Sequence, residues 1–219
     1  MRFVADKGAK FSVLLKHGGM ARHLPETRRL SAENLEEMLQ KYGFVVVKPY
    51  VGTGGAGVVK VEKTSGGLYR IHHGYKIRTF RSYGSLTAAI NRIRRGRAYM
   101  VQRGIRLATY RGRRVDYRVK MIKSGNRWKI TAVVARVARP GLFVTNLCRG
   151  GTMIGAMRAL RSAFPARQAR LKKETMRGVA RTGKELLEAK YPGIGALGFD
   201  FGVDRAGSVW VLEVNTRPH

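Results

Sequence analysis

The sequence predicts an α+β fold with two sheet-bearing lobes that meet near Gln102 to Ile105. Short apolar runs of strand length, divided by glycine-containing turns, cover Phe44 to Phe80, Val115 to Ala138 and Leu197 to Val214. Apolar residues at helical spacing occupy separate stretches before, between and after these runs. With 219 residues and 44% hydrophobic content, the chain can bury one full core or two smaller ones.

Phe11, Val13, Leu14 and Leu15 predict a short opening helix that stops at Gly18 and Gly19. The next helix is better marked. Ser31 is a natural N-cap, Glu33, Glu36 and Glu37 favour the N-terminal half, and Leu35, Met38, Leu39 and Tyr42 form a buried stripe. Leu30 can staple onto Leu35, and Gly43 closes the helix. Phe44 to Lys48 then reads as a strand, Gly52 to Gly57 as a glycine loop, Gly57 to Lys63 as a second strand, and Leu68 to Phe80 as further strand broken at Gly74. Ser85 to Arg95 is a helix with Leu86, Ala89, Ile90 and Ile93 inward, followed by a strand from Ala98 to Gln102. Val115 to Lys123 and Arg127 to Ala138 form a hairpin around Ser124, Gly125 and Asn126. A long helix from Ala166 to Lys190 puts Met176, Val179, Ala180, Gly183, Leu186 and Leu187 on one face, and Pro192 with Gly193 ends it. The expected organisation is a helical lead-in (1–45), a small lobe with the glycine loop (46–103) and a larger lobe (104–219).

The net charge of +31 is the most unusual bulk property. Lys76 to Arg118 holds thirteen Lys or Arg and one acid, and Arg158 to Arg181 holds eight and one. Such charge draws in polyanions, whether nucleic acid, acidic peptide, anionic lipid or nucleotide phosphate, and selects none of them. Non-specific nucleic-acid binding is therefore expected. No apolar run reaches the length of a membrane span and no signal-peptide core opens the chain, so a soluble, cytoplasmic protein is expected. The single cysteine, Cys148, excludes an internal disulfide and a multi-cysteine zinc site, and reads as a buried structural thiol.

Acids are scarce enough to be informative: three of thirteen fall between Asp200 and Glu213, among apolar neighbours. Leu197 to Val203, the turn Asp204 to Gly207, and Ser208 to Val214 read as a β-hairpin in which Asp200 interrupts one strand and Glu213 the other. Asn215, two residues past Glu213, shares its face. Carboxylates in apolar surroundings need a counter-charge. Two readings stand. Asp200, Glu213 and Asn215 are hard oxygen donors suited to Mg²⁺ or Mn²⁺; equally, Asp200 and Asp204 are turn acids and Glu213 pairs with an arginine.

A second constellation lies in FVVVKPYVGTGGAGVV, residues 44–59: a lysine at the end of an apolar strand, then Gly52, Thr53, Gly54, Gly55 and Gly57. Glycines let backbone N–H groups turn inward around phosphate oxygens, and Lys48 would add charge. It is neither a P-loop nor a Rossmann turn, because no Gly-Lys-Ser/Thr ends it and a strand follows it. A flexible phosphate lid and a mobile hairpin both fit the loop taken alone.

Taken together, the motifs are similar to those of the ATP-grasp superfamily over nearly the whole chain. The series comprises Lys10 with Pro25-Glu26-Thr27, Val47-Lys48-Pro49 with its glycine loop, Val101 to Ile105, Asp116-Tyr117-Arg118, Arg136, Asn146 with Arg149-Gly150-Gly151, then Asp200, Glu213 and Asn215. The wording LPET, VVVKPYVGTGGAGVVKV and LGFDFGVDRAGSVWVLEVNTRP most resembles the YheC/YheD-like branch, associated with endospore coats, with the ribosomal-protein glutamate ligase branch next. The resemblance implies two α+β lobes clamping ATP, here without the usual N-terminal domain ahead of the ATP-grasp unit. It implies ATP phosphate contacts from Lys10, Lys48 and the loop Gly52, Thr53, Gly54, Gly55 and Gly57. Gln102, Arg103, Gly104 and Ile105 would form the adenine hinge, with Arg103 where an acid is common. Asp200, Glu213 and Asn215 would hold Mg²⁺, while Arg118, Arg136, Asn146 and Arg217 would face the transferred phosphate and an acceptor carboxylate.

The reaction so implied is carboxylate activation: ATP phosphorylates a carboxylate and an amine displaces the phosphate, giving an amide, ADP and phosphate. No protein nucleophile is needed, which suits a sequence without a serine or cysteine triad. The carboxylate and amine are not identified; net charge favours an acidic peptide. Two rivals are an ATP-binding but non-catalytic coat component, spore-associated by resemblance, and a basic nucleic-acid-binding module. The latter lacks the interleaved surface aromatics of base-stacking platforms.

Overall fold

The computed structural model describes residues 2–218. The chain runs α1 (Lys7–Leu15), α2 (Gly18–Ala21), β1 (Thr27–Arg29), α3 (Ala32–Tyr42), β2 (Phe44–Pro49), β3 (Val59–Lys63), β4 (Tyr69–His73), β5 (Lys76–Phe80), α4 (Tyr83–Arg94) and β6 (Tyr99–Arg103). It continues with β7 (Thr109–Tyr110), β8 (Arg113–Ser124), β9 (Arg127–Val137), a 3-10 turn (Leu147–Arg149), β10 (Thr152–Gly155), α5 (Ala156–Arg161), α6 (Ala166–Lys190), β11 (Ala196–Val203) and β12 (Val209–Asn215). It forms two compact units, one of residues 25–105 with 140–144, the other of the remaining described residues. Of the residues expected to lead in, 2–24 lie in the larger unit and 25–45 in the smaller.

In the smaller unit six strands pair antiparallel in the order β1-β6-β2-β3-β4-β5. Val45, Val47, Val59, Val61, Ile71, Tyr99 and Val101 form a core with Leu35, Met38 and Leu39 of α3 and Leu86, Ala89 and Ile90 of α4. Ser31 caps α3, its Oγ accepting from the Asn34 amide at 3.1 Å, and Gly43 ends it at φ 73°. Ser82 caps α4 in the same way, so this helix starts at Tyr83, two residues before the expected Ser85.

In the larger unit the sheet order is β10-β9-β8-β11-β12, with β7 on β8. Phe199 and Phe201 of β11, Val211 and Val214 of β12 and Tyr117 and Val119 of β8 share a core with Met176, Val179, Ala180 and Leu187 of α6. The helix comes close at Gly183, where a Cβ would lie 2.6 Å from the Phe199 ring. Both ends of the chain are tied together, the Val4 amide donating to Thr216 Oγ1 at 2.9 Å. The opening helix differs from expectation. It ends at Leu15, and Gly18 and Gly19 begin α2 instead of stopping a helix, because the chain turns at once to bury Met20.

One irregularity positions the candidate site. Asp200 pairs with Glu213 and Phe201 with Val211, so Leu212 is an extra residue, a β-bulge in β12. Val209 and Val211 point into the core, and unbroken alternation would send Glu213 and Asn215 after them. The bulge reverses the parity: Val214 takes the core position, and Glu213 and Asn215 come to the face that carries Asp200.

Candidate functional site

Asp200 sits between Arg118 of β8 and Glu213 of β12 in register. Arg118 grips it with both prongs, Nε to Oδ1 at 2.8 Å and Nη2 to Oδ2 at 2.9 Å, and Arg136 Nη2 lies 3.0 Å from Oδ2. Asn215 Nδ2 approaches the same Oδ2 at 3.4 Å. Burial alone would raise the Asp200 pKa, but Arg136 and Arg118 more than offset it and hold the carboxyl below the usual carboxylate range. Asp116, opposite Arg136 on the neighbouring strand, accepts from Arg136 Nε at 2.8 Å and from Thr145 Oγ1 at 2.6 Å. Burial, helped by the nearby Asp200 charge, outweighs Arg136 and the Thr145 hydrogen bond, and the Asp116 pKa rises.

Glu213 faces the opening helix. Lys7 Nζ stands 3.6 Å from its Oε1, and Lys10, one helical turn on, donates to the Val4 carbonyl at 2.6 Å. Both lysines are buried. Burial lowers the Lys10 pKa to about 8, with Glu213 pulling the other way. Asp6 caps α1, its Oδ1 accepting from the Ala9 amide at 2.9 Å, which sets the phase that turns both lysines inward.

The smaller unit supplies a second group. Lys48, buried at the end of β2, donates to Gln102 Oε1 at 2.7 Å, and Gln102 Nε2 donates to Thr27 Oγ1 at 2.8 Å. Beyond Lys48 the glycine loop leaves regular structure, with Gly54, Gly55 and Gly57 at φ 60°, 70° and 74°. Gly57 has a further constraint, since a Cβ there would meet the Tyr99 hydroxyl at 2.3 Å. In the hinge stretch, the Arg103 amide donates to the Glu26 carbonyl and the Gly104 amide to the Phe44 carbonyl, at 2.8 and 3.1 Å. Arg103 itself stacks over Tyr42, 5.1 Å from the ring centroid. Glu26 is drawn down to about 2 by hydrogen bonds from Lys41, Tyr42 and Arg28.

The structure thus brings Arg118, Arg136, Asp200, Glu213, Asn215 and Lys10 onto one side of the larger sheet, and joins Lys48 to Gln102 in the smaller. Arg217 is exposed, its guanidinium carbon 5.5 Å from the Phe3 ring centroid. Asn146 opens the 3-10 turn, directly after Thr145. Asp204 is a turn acid, accepting from the Ser208 amide and Trp210 Nε1, both at 2.8 Å. Cys148 corrects an expectation: it is exposed, because a three-residue turn on a surface loop offers no core to enter. Sequence reasoning missed Lys7, although its i, i+3 spacing from Lys10 on a capped helix was a usable signal.

The residue types suit a divalent cation, a carboxylate from each strand of the hairpin and an amide beside them, but here both Asp200 oxygens accept from Arg118 or Arg136 and Asn215 turns its Nδ2 to Oδ2, so an ion would have to displace these contacts. No cluster of three or more His, Cys, Asp or Glu suited to a metal exists among the described residues, so the donor set depends on Asn215.

The YheC/D-like ATP-grasp family model matches residues 2–219. The chain belongs to that family. Two relatives from Bacillus subtilis (strain 168) are similar to this ATP-grasp chain. Endospore coat-associated protein YheD is 30% identical over 197 residues, covering 86% of this chain and 42% of the relative. Endospore coat-associated protein YheC is 22% identical over 222 residues, covering 99% and 61%. The chain therefore spans less than two thirds of either relative. Among solved structures, N5-carboxyaminoimidazole synthase from Aspergillus clavatus, in complex with ADP and 5-aminoimidazole ribonucleotide, superposes with a TM-score of 0.60 at 12% identity, over 100% of this chain and 46% of that one. L-amino acid ligase from Bacillus licheniformis gives 0.58 at 16%, over 97% and 40%. At these identities the likeness establishes the ATP-grasp fold, which is the α+β class the element order predicts.

Proposed function

We propose that this chain is an ATP- and Mg²⁺-dependent carboxylate–amine ligase that works through an acylphosphate, with Mn²⁺ as an alternative ion. The observation that carries the reading is the convergence of Asp200, Glu213 and Asn215 on one sheet face, beside the buried Arg136, the half-buried Arg118 and two buried lysines. A site with this balance holds a divalent cation and polyphosphate together, since each supplies the other's counter-charge. The names of the structural neighbours, a ligase and a synthase bound to ADP, support the same class.

In this reading a substrate carboxylate oxygen attacks the γ-phosphorus and the bond to ADP breaks. An amine nitrogen then attacks the acyl carbon and phosphate leaves. Asp200, Glu213 and Asn215 would hold the ion, which when bound neutralises phosphate charge. Arg118, Arg136 and Lys10 balance charge on the transferred phosphoryl group, and Asn146 and Arg217 face the acceptor. Lys48 and the loop of Gly52, Thr53, Gly54, Gly55 and Gly57 bind phosphate oxygens. Gln102 to Ile105 would form the adenine hinge, the backbone reading the base edge, with the Arg103 and Gly104 amides already engaged within the fold. The acceptor is an acidic peptide, on the ground of the +31 charge.

Thermal unfolding with and without Mg²⁺ and ATP tests binding: a rise in Tm that Glu213→Ala abolishes is expected. ADP release screened against amino acids and acidic peptides, with mass spectrometry of products, tests catalysis. A thermal shift without ADP release under any acceptor would instead favour the coat-component reading that the relatives' names suggest. No nucleotide effect, with equal nucleic-acid affinity in wild type and Glu213→Ala, would favour the binding module.

A further inference from the structure

Asp116 makes three hydrogen bonds in the larger unit: Arg136 Nε to Oδ1 at 2.8 Å, Arg136 Nη2 to Oδ2 at 2.5 Å, and Thr145 Oγ1 to Oδ2 at 2.6 Å. Asp116, Arg136 and Thr145 are all buried. Thr145 leads into a tight turn. The Asn146 carbonyl accepts from the Arg149 and Gly151 amides at 3.0 and 3.3 Å, and a Cβ on Gly151 would lie 2.4 Å from the Thr145 carbonyl. The turn is therefore compact, and the residue that leads into it, Thr145, is pinned by its hydroxyl to the carboxylate that clamps Arg136. A buried ion pair is a poor source of net stability, because desolvation consumes most of the attraction, whereas a planar fork against a carboxylate fixes direction closely.

From this junction we infer that Asp116 is a positioning residue, setting at once the Arg136 guanidinium and, through Thr145, the turn that presents Asn146. The inference rests on the ligase reading, in which Arg136 meets the γ-phosphoryl group and Asn146 the acceptor. One carboxylate then holds in register two groups that act at opposite ends of the transferred phosphate. Asparagine at 116 would turn an N–H toward the guanidinium or lose one prong of the fork, so Arg136 would keep its charge and lose its direction.

The test compares thermal shifts by Mg²⁺ with AMPPNP and by Mg²⁺ with ADP, which differ in the γ-phosphoryl contact, together with amide hydrogen exchange. Wild type should show a larger shift with AMPPNP than with ADP. Asp116→Asn should keep the ADP shift, lose the AMPPNP excess, and exchange about tenfold faster at residues 145–151. Thr145→Val should show the faster exchange alone, with the AMPPNP excess retained. A purely structural role would lower the nucleotide-free Tm of Asp116→Asn and leave both the excess and the exchange of the turn unchanged, which would overturn the inference. Should Asp116→Asn fail to fold, unchanged exchange in Thr145→Val overturns it equally. Wild type unmoved by either nucleotide overturns the ligase reading and this inference with it, whereas an excess that survives in Asp116→Asn overturns the inference alone.

Discussion

Lys10 and Asp200 at the candidate site are held by a carbonyl and by opposite charges, and each arrangement predicts a response. Lys10 titrates at about 8 in the fold against an ordinary 10.5, because burial disfavours its charge. Between these values the unfolded chain binds more protons than the native one, so this group makes stability rise as pH increases from about 8 to 10.5. Lys10→Met should remove that rise and stabilise the protein at pH 7 by up to ~3 kcal/mol, since each tenfold change in proton affinity is worth roughly 1.4 kcal/mol; urea melts across this range would show it. Asp200 responds in the opposite sense. Its pKa is depressed, so its contribution is present above the ordinary carboxylate pKa and is lost as pH falls through the depressed one. Arg118→Ala leaves Asp200 with less counter-charge and should cost about 3 kcal/mol at neutral pH, moving the acid limb of the stability profile to higher pH. Unchanged acid denaturation in that variant would show the pair to be dispensable.

The elements depend on a few close approaches. Gly183 lets α6 lie against Phe199, where a methyl group has no room. Gly183→Ala should push helix from sheet and cost about 1–3 kcal/mol, measured as a lower urea midpoint with an unchanged slope. Deleting Leu212 removes the bulge but places Glu213 directly after the inward Val211, so alternation alone keeps Glu213 opposite Asp200 and Val214 in the core; the variant should fold and keep the nucleotide-dependent Tm shift, and loss of cooperative unfolding would show that the bulge itself is needed. Most helices and long strands were legible because capping residues and apolar periodicity agree: Ser31 and Gly43 bound α3 as expected. β1, β7, β10 and α5 were not. They are two to six residues long, too short to show a period, and exist because a neighbouring strand or core offers them a partner.

Over the whole molecule the charge is the dominant physical fact. At +31 the protein should bind duplex nucleic acid whatever its enzymatic role, losing at least about tenfold in affinity between roughly 50 and 200 mM salt as counterions are released. Glu213→Ala should bind as tightly as wild type in an anisotropy titration, since that affinity belongs to the surface. No helix among the described residues is long and apolar enough to cross a membrane.

Spacing and residue type alone determined the α+β class and the family motifs, since these follow from local rules of capping and turn chemistry. Three things needed the folded chain. The parity of Glu213 depends on a bulge that strand alternation cannot foresee. The burial of Lys7 and Lys10 depends on α1 facing a strand more than 190 residues away in sequence. The junction at Asp116 gathers Arg136 and Thr145 from positions 20 and 29 residues on. All three are long-range pairings, and a one-dimensional pattern records which side chains exist but not which of them tertiary packing brings within hydrogen-bonding reach.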